Sequence, residues 1–226
     1  MRKGNMSLIV KICGLKTPET LDVALDAGAD MVGFVFFPPS PRNLSIDAAG
    51  ALGARVKGRA GKVALTVDAD DALLAEIVAA LSPDLLQLHG KETPERVAAI
   101  KTKFKLPVMK ALAVETGSDL AAVTPYLNAA DRILFDARAP KDATRPGGLG
   151  MPFDWHLLEN LDLALPYMLS GGLTPDNVAE ALRITHAPGV DVSSGVERAP
   201  GEKDADKIRA FIRAAREAAT TMMSNA

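Results

Sequence analysis

The stretch Leu8-Ile9-Val10-Lys11-Ile12-Cys13, followed by Thr17-Pro18-Glu19 and then Met31-Val32-Gly33-Phe34-Val35-Phe36-Phe37, holds the pattern that decides the fold. A short apolar, β-branched run reads as a strand. Thr17 then offers an N-cap, Pro18 fits the first helical position, and Glu19 places a carboxylate where the helix dipole favours it. Helical spacing continues over Glu19–Ala27, and the second apolar run is the next strand. Strand, helix and strand make a βαβ unit, which implies parallel neighbours.

Working outward, the same kind of run recurs at Lys62–Val67, Asp84–His89, Pro107–Ala111, Arg132–Asp136, Pro166–Ser170 and Val190–Ser193. Helical spacing marks Ala69–Leu81, Glu95–Thr102, Asn177–Ile184 and Asp204–Ala219, and the cap signal repeats at Thr93-Pro94-Glu95 and Thr174-Pro175-Asp176. Eight strands in 226 residues fit a closed barrel better than an open sheet with a second domain. The expectation is an α/β protein, a (β/α)8 TIM barrel forming one domain over residues 1–226. Asp142–Phe153, rich in Gly and Pro, reads as a long loop after the sixth strand.

The bulk properties narrow the function. Hydrophobic residues make up 48% of the chain, enough for a substantial core at this length. A net charge of -2 and 4% aromatic residues argue against a nucleic-acid partner or an anionic membrane surface. Apolar runs such as Met31–Phe37 are too short to span a bilayer. The basic start, Met1-Arg2-Lys3-Gly4-Asn5, leads into an apolar stretch broken by Lys11, which does not suit a secretory signal. One cysteine precludes an intramolecular disulfide and suits a reducing cytoplasm.

A barrel carries its chemistry at the C-terminal ends of its strands. Polar residues gather there: Lys11-Ile12-Cys13-Gly14 after the first strand, Gln87-Leu88-His89-Gly90 after the fourth, Lys110 on the fifth, Asp136 on the sixth, and Asp191-Val192-Ser193-Ser194-Gly195 on the eighth. Alternation puts Lys11 with Cys13, Gln87 with His89, and Asp191 with Ser193 on shared faces, provisionally the interior. The eighth strand of a barrel lies beside the first, so Asp191 is the expected partner of a buried Lys11. Ser170-Gly171-Gly172 and Ser193-Ser194-Gly195 close the last two strands, where such barrels usually bind phosphate. Glycine lets backbone N–H groups approach an anion closely.

The motifs Lys11-Ile12-Cys13-Gly14, Phe36-Phe37-Pro38-Pro39-Ser40-Pro41-Arg42, Gln87-Leu88-His89-Gly90, Leu134-Phe135-Asp136, Phe153-Asp154-Trp155, Ser170-Gly171-Gly172-Leu173 and Asp191-Val192-Ser193-Ser194-Gly195-Val196-Glu197 stand in the order seen in phosphoribosylanthranilate isomerases, and nearly the whole chain resembles that family. The resemblance implies an Amadori rearrangement of phosphoribosylanthranilate in tryptophan biosynthesis. It implies Asp136 as general acid, Cys13 as general base, and Arg42 as the partner of the anthranilate carboxylate. The substrate's amine serves as electron sink, so the resemblance implies neither metal nor organic cofactor.

These roles make demands. Asp136 must be protonated when substrate binds, and Cys13 must reach its thiolate, with Lys11 on the same face placed to help. Gln87, His89, Gly171, Gly172, Asp191, Ser193, Ser194 and Gly195 are expected to line the substrate site, His89 without a proton-transfer role. Thr66-Val67-Asp68-Ala69 receives no catalytic role. One departure stands out: where relatives commonly read Thr-Gly-Lys-Thr after Gly147-Gly148, this chain has Leu149-Gly150-Met151-Pro152. Asp142 and Arg145 are candidates for a lid there. The rivals are a histidine-pathway isomerase, which usually uses paired aspartates, a Schiff-base aldolase using Lys110, and a non-catalytic sugar-phosphate-binding barrel. Partners are expected to be a small molecule and, at most, a second copy of the chain: a monomer or homodimer.

Overall fold

The structure, a computed structural model, describes residues 8–139, 143, 146–148, 150 and 152–224. Eight strands, β1 (Ile9–Cys13), β2 (Met31–Phe36), β3 (Gly61–Thr66), β4 (Leu85–Leu88), β5 (Val108–Val114), β6 (Arg132–Ala137), β7 (Tyr167–Leu169) and β8 (Gly189–Val192), close into a parallel barrel in sequence order. The expected TIM barrel is therefore present. β8 meets β1 with Lys11 opposite Asp191.

Alternation along each strand sorts the apolar residues into two layers. Val63, Leu85, Met109, Ala111, Leu134 and Met168 fill the barrel interior towards its N-terminal end. The opposite strand faces, among them Val10, Ile12, Phe34, Leu86, Ile133 and Phe135, pack against the helices as one larger cluster. Each Leu, Ile or Phe buried there contributes about 1.5–3 kcal/mol. Toward the C-terminal end the interior positions turn polar, with Lys11, Gln87, Asp136 and Asp191 all buried.

The helices begin where the caps place them. In α1 (Pro18–Asp26) and α4 (Pro94–Phe104), Thr17 and Thr93 accept the N–H of Thr20 and Arg96, each at 3.3 Å. α3 (Asp71–Leu81) starts on Asp70. A helix without the Thr-Pro signal, α2 (Ile46–Val56), is capped by Ser45. After β5 and β6 the described residues form 3₁₀ segments rather than α-helices, Gly117–Tyr126 and Trp155–Leu158. Pro125, inside the first of them, lacks the N–H a continuing helix would need. α5 (Val178–Thr185) starts later than the Thr174-Pro175 signal suggests. Asn177 intervenes: its Oδ1 accepts the Thr174 N–H at 2.7 Å and its Nδ2 donates to the Gly172 carbonyl at 2.9 Å, shaping a turn first. Beyond β8, one 3₁₀ turn (Ser194–Val196) leads into a small hairpin, β9 (Glu197–Ala199) and β10 (Glu202–Lys203), then into α6 (Ala205–Ser224).

At the N-terminal end of the barrel an aspartate immediately precedes β2, β4 and β6, and each accepts a backbone N–H from the strand before it. Asp30 takes Val10 at 2.6 Å, Asp84 takes Lys62 at 2.7 Å and Asp131 takes Val108 at 2.9 Å. β8 is preceded by Pro188, whose carbonyl instead accepts the Ile9 N–H. The β7–β8 junction rests on a single register pair, Leu169 with Val190, where β2 and β3 share six.

Candidate active site

A cavity opens at the C-terminal ends of the strands, the place where a barrel of this kind binds its ligand. Cys13, Arg42, Gln87, His89 and Asp136 line it, together with Gly171, Gly172, Asp191, Ser193 and Ser194. Gly195 follows Ser194 in the same turn, and a side chain there would run into the Leu173 carbonyl, so its bare backbone lets the β7 and β8 loops pass each other. Lys110 is neither solvated nor in the cavity. Its three protons go to the Leu88 and Gly90 carbonyls at 3.3 and 2.7 Å and to Glu92 at 2.8 Å, which fixes the loop after β4. With its amine bound into that loop and outside the cavity lining, Lys110 is not placed to attack a substrate carbonyl, so the aldolase reading loses its residue.

The first strand brings Lys11 and Cys13 to the same interior face. Lys11 Nζ donates to Asp191 Oδ1 at 2.9 Å with both side chains buried, the pairing the strand order predicts. Burial lowers the pKa of Lys11, but Asp191 and Cys13 outweigh it, so the ammonium is held above its ordinary value. Burial pushes the Cys13 thiol up; Lys11 and Lys203 oppose the rise while Asp191 adds to it. Lys11 thus moderates the thiol's pKa without bringing it below the ordinary value, and Cys13 rests as a thiol. Gly33 of β2 makes room for this group: a Cβ there would lie 2.8 Å from Cys13 Sγ and 3.2 Å from Lys11 Nζ. Sequence reasoning assigned Gly33 no part, because a glycine inside an apolar strand carries no chemical signal.

Across the cavity, Asp136 sits at the end of β6. Its Oδ2 lies 3.1 Å from His89 Nε2, and its Oδ1 accepts the Ala137 N–H at 3.0 Å. His89 Nδ1 in turn lies 3.1 Å from Gln87 Nε2. With the Gln87 amide donating, Nδ1 is the acceptor, and the neutral imidazole carries its proton on Nε2, directed at Asp136. His89, expected only as lining, therefore touches the carboxyl proposed to move a proton. Gln87 Oε1 is buried without a partner among the described residues and is left for a donor in the cavity. Gly147 lies over the pair, where a Cβ would strike Asp136 Oδ2 and approach His89 Nε2. Of the loop's lid candidates, Asp142 and Arg145 lie outside the described residues.

Arg42, in the loop after β2, is 4% exposed. Its Nε and Nη2 donate to Glu197 at 2.7 and 2.8 Å, and Nη2 also meets the Gly148 carbonyl at 3.2 Å. Glu197 further accepts Lys203 Nζ at 2.8 Å. Burial works to raise the Glu197 carboxyl, but Arg42 and Lys203 prevail and hold it low. Lys203 also donates to the Ser193 carbonyl at 2.8 Å. Ser193 Oγ donates to the Cys13 carbonyl at 3.1 Å, so this hydroxyl ties β8 to β1 as well as facing the cavity. Sequence reading gave Glu197 and Lys203 no role; Glu197 stood inside a quoted motif, but nothing local marks Lys203.

On β7's side, Gly171 and Gly172 both adopt positive φ, 84° and 64°, which glycine reaches without strain. A side chain on Gly171 would collide with the Ala137 backbone at the end of β6. The resulting turn and the Ser193-Ser194 turn face one cavity from adjacent strands.

Eight parallel strands closed on themselves, with an acid, a thiol and a guanidinium gathered over their C-terminal ends, define a (β/α)8-barrel enzyme. Comparison with known proteins sharpens the class. The family profile of N-(5'phosphoribosyl)anthranilate (PRA) isomerase matches residues 10–214. N-(5'-phosphoribosyl)anthranilate isomerase of Bradyrhizobium diazoefficiens is 72% identical over 211 residues, covering 93% of this chain and 95% of the relative. Phosphoribosyl anthranilate isomerase from Thermotoga maritima superposes with a TM-score of 0.83 at 34% identity, over 93% of this chain and 99% of that one. A phosphoribosyl anthranilate isomerase solved in complex with reduced 1-(o-carboxyphenylamino)-1-deoxyribulose 5-phosphate gives 0.79 at 31% identity, with the same coverage of both chains. The chain belongs to the N-(5'-phosphoribosyl)anthranilate isomerase family.

Proposed function

We propose that this chain, as one domain, converts N-(5'-phosphoribosyl)anthranilate to 1-(2-carboxyphenylamino)-1-deoxyribulose 5-phosphate in tryptophan biosynthesis. One observation supports this above the rest: Cys13, Asp136 and Arg42 meet in a single cavity with the Ser-Gly turns of β7 and β8. The phosphate sits on those turns, where backbone N–H groups favour an anion. The anthranilate carboxylate reaches Arg42. Asp136 protonates the furanose oxygen as its bond to C1' breaks, leaving a Schiff base. Cys13 then removes the C2' proton, giving an enol amine that tautomerises to the ketone. Substrate and product are isomers, so protons and electrons balance without a co-reactant.

His89 holds the Asp136 carboxyl by its Nε2–H, and the proton delivered to the ring oxygen leaves from the carboxyl. Cys13 rests as a thiol; it gives its proton to solvent before the substrate closes off the cavity, and Lys11 stabilises the thiolate that reacts. A Cys in the base position disfavours the histidine-pathway reading with its paired aspartates. No helix among the described residues is long and apolar enough to cross a membrane. With its single thiol, the chain suits the reducing cytoplasm, as a monomer or homodimer.

The test is a coupled assay in which phosphoribosylanthranilate is made in situ and the loss of its fluorescence is followed. Wild-type protein should consume it rapidly. Cys13→Ser and Asp136→Asn should each slow the decay by about 10²–10⁴. A wild type without turnover sinks the assignment, and activity surviving in Cys13→Ser would mean that another group is the base.

A further inference from the structure

Arg42, Glu197 and Lys203 form a buried cluster in which two cations share one carboxylate, with exposures of 4%, 8% and 9%. Glu197 is saturated: it takes Arg42 Nε and Nη2, Lys203 Nζ, and the Gly201 N–H at 3.2 Å. Lys203 spends its remaining protons on Ser193, at 2.8 Å to the carbonyl and 3.2 Å to Oγ. Among the described residues one positive charge is therefore left over where solvent is scarce, a costly arrangement unless an anion joins it. Nη1 of Arg42 has no acceptor among the described residues, and Arg42 lines the cavity. The surplus charge faces the ligand along that edge.

The hairpin after β8 exists around this cluster. Lys203 sits on β10 and Glu197 on β9, and Gly201 between them has a positive φ of 81°. A side chain on Gly201 would collide with the Pro41 carbonyl, next to Arg42. The hairpin thus braces the Arg42 loop from behind, with its own lysine inserted beneath the guanidinium's carboxylate.

We propose that Lys203, acting through Glu197, is a positioning residue that sets the Arg42 guanidinium and supplies the surplus charge by which the cavity selects a carboxylated aryl amine. The inference rests on the proposed reading of Arg42 as the carboxylate's partner. The charged and titratable groups facing Lys203 are Glu197 on β9, Arg42 in the loop after β2, and Cys13 on β1. Burial, only partly opposed by Glu197, lowers Lys203 to about 8. The surplus charge is therefore present at neutral pH and fades as pH rises through that value.

The experiment compares kcat and KM for two substrates: phosphoribosylanthranilate, and the analogue formed from aniline and ribose 5-phosphate, which lacks the carboxylate. Lys203→Met should raise KM for the carboxylated substrate by about tenfold or more, a loss of the order of one charge-assisted contact. The loss on the analogue should be several-fold smaller, and Lys203→Arg should recover part of the difference. In wild-type protein the preference for the carboxylated substrate should shrink from about pH 7 to about pH 9, the range in which a lysine so lowered gives up its proton. Equal losses on both substrates would make Lys203 a merely structural residue and overturn the proposal. If Lys203→Met does not fold, the wild-type pH series decides, and a flat preference overturns the proposal. A wild type indifferent to the carboxylate would instead remove the reading of Arg42 on which the inference stands.

Discussion

The two ends of the barrel are built from the same residue types for opposite purposes. At the N-terminal end, Asp30, Asp84 and Asp131 each sit at the start of an even-numbered strand and spend an oxygen on a backbone N–H of the strand before. Asp131 and Asp30 also meet Lys101 and Arg216 near the surface, at 2.6 Å in both cases. At the C-terminal end, Asp136, Asp191 and Glu197 are buried and meet His89, Lys11 and the Arg42–Lys203 pair. The carboxylates below join strands to strands. Those above are grouped with other titratable groups, which is what proton transfer and anion binding require. A barrel of this kind can thus keep its stability and its chemistry at separate ends.

The largest test of that separation is at the top. Cys13→Ser and Asp136→Asn, beyond their kinetic loss of about 10²–10⁴, should melt within a few degrees of wild type in a calorimetric scan. Both replacements are nearly isosteric; a collapse of the fold would show that the two ends are not independent. Next in size is His89→Ala. Hydrogen bonds to charged groups are worth roughly 1.5–3 kcal/mol, so kcat should fall by about ten- to a hundredfold. If kcat is unchanged in the fluorescence assay, the contact with Asp136 is incidental.

A pH series refines the same end. Because burial raises the Cys13 thiol, the base form grows as pH rises, and kcat at saturating substrate should climb through the alkaline range up to that raised pKa. The sign for stability is opposite. A group whose folded pKa is raised stabilises fully below its unfolded pKa, and this contribution is lost as pH rises through the folded value. Cys13→Ser should therefore be less sensitive to alkaline denaturation than wild type. A kcat that falls over this range would argue against a thiolate base.

The smallest effect belongs to the bottom. Asp131→Ala removes the acceptor of the Val108 N–H and should cost about 1–3 kcal/mol in urea denaturation, with kcat and KM as in wild type. A kinetic defect there would mean that the foot of β5 and β6 is coupled to Asp136 above.

Much of this was legible in the sequence for a physical reason: strands that are buried on both faces read as continuous apolar runs, and helix caps are local chemistry. Strand order alone made Asp191 the partner of Lys11, since β8 must close on β1. The elements that escaped depend on contacts distant in sequence. Lys203 acquires its meaning only when a two-strand hairpin folds back beneath Arg42, about 160 residues away in the chain. His89 looked like lining because the sequence does not say what faces it from β6. Lys110 entered only as the nucleophile of a rival reading, which did not allow for Glu92 curling back over it. Gly195 could be read only as part of its motif, since its clearance against the Leu173 carbonyl depends on a loop from another strand.

The single register pair between β7 and β8 has a mechanical consequence. An arch parts first at its weakest joint, and here that joint also lacks the aspartate latch that fastens β1 to β2, β3 to β4 and β5 to β6. With the phosphate placed as proposed, on the turns that leave these two strands, the substrate takes the position of a keystone. The ring would be held most firmly shut while it holds its ligand, and each release of product would loosen it at the place where the next phosphate enters.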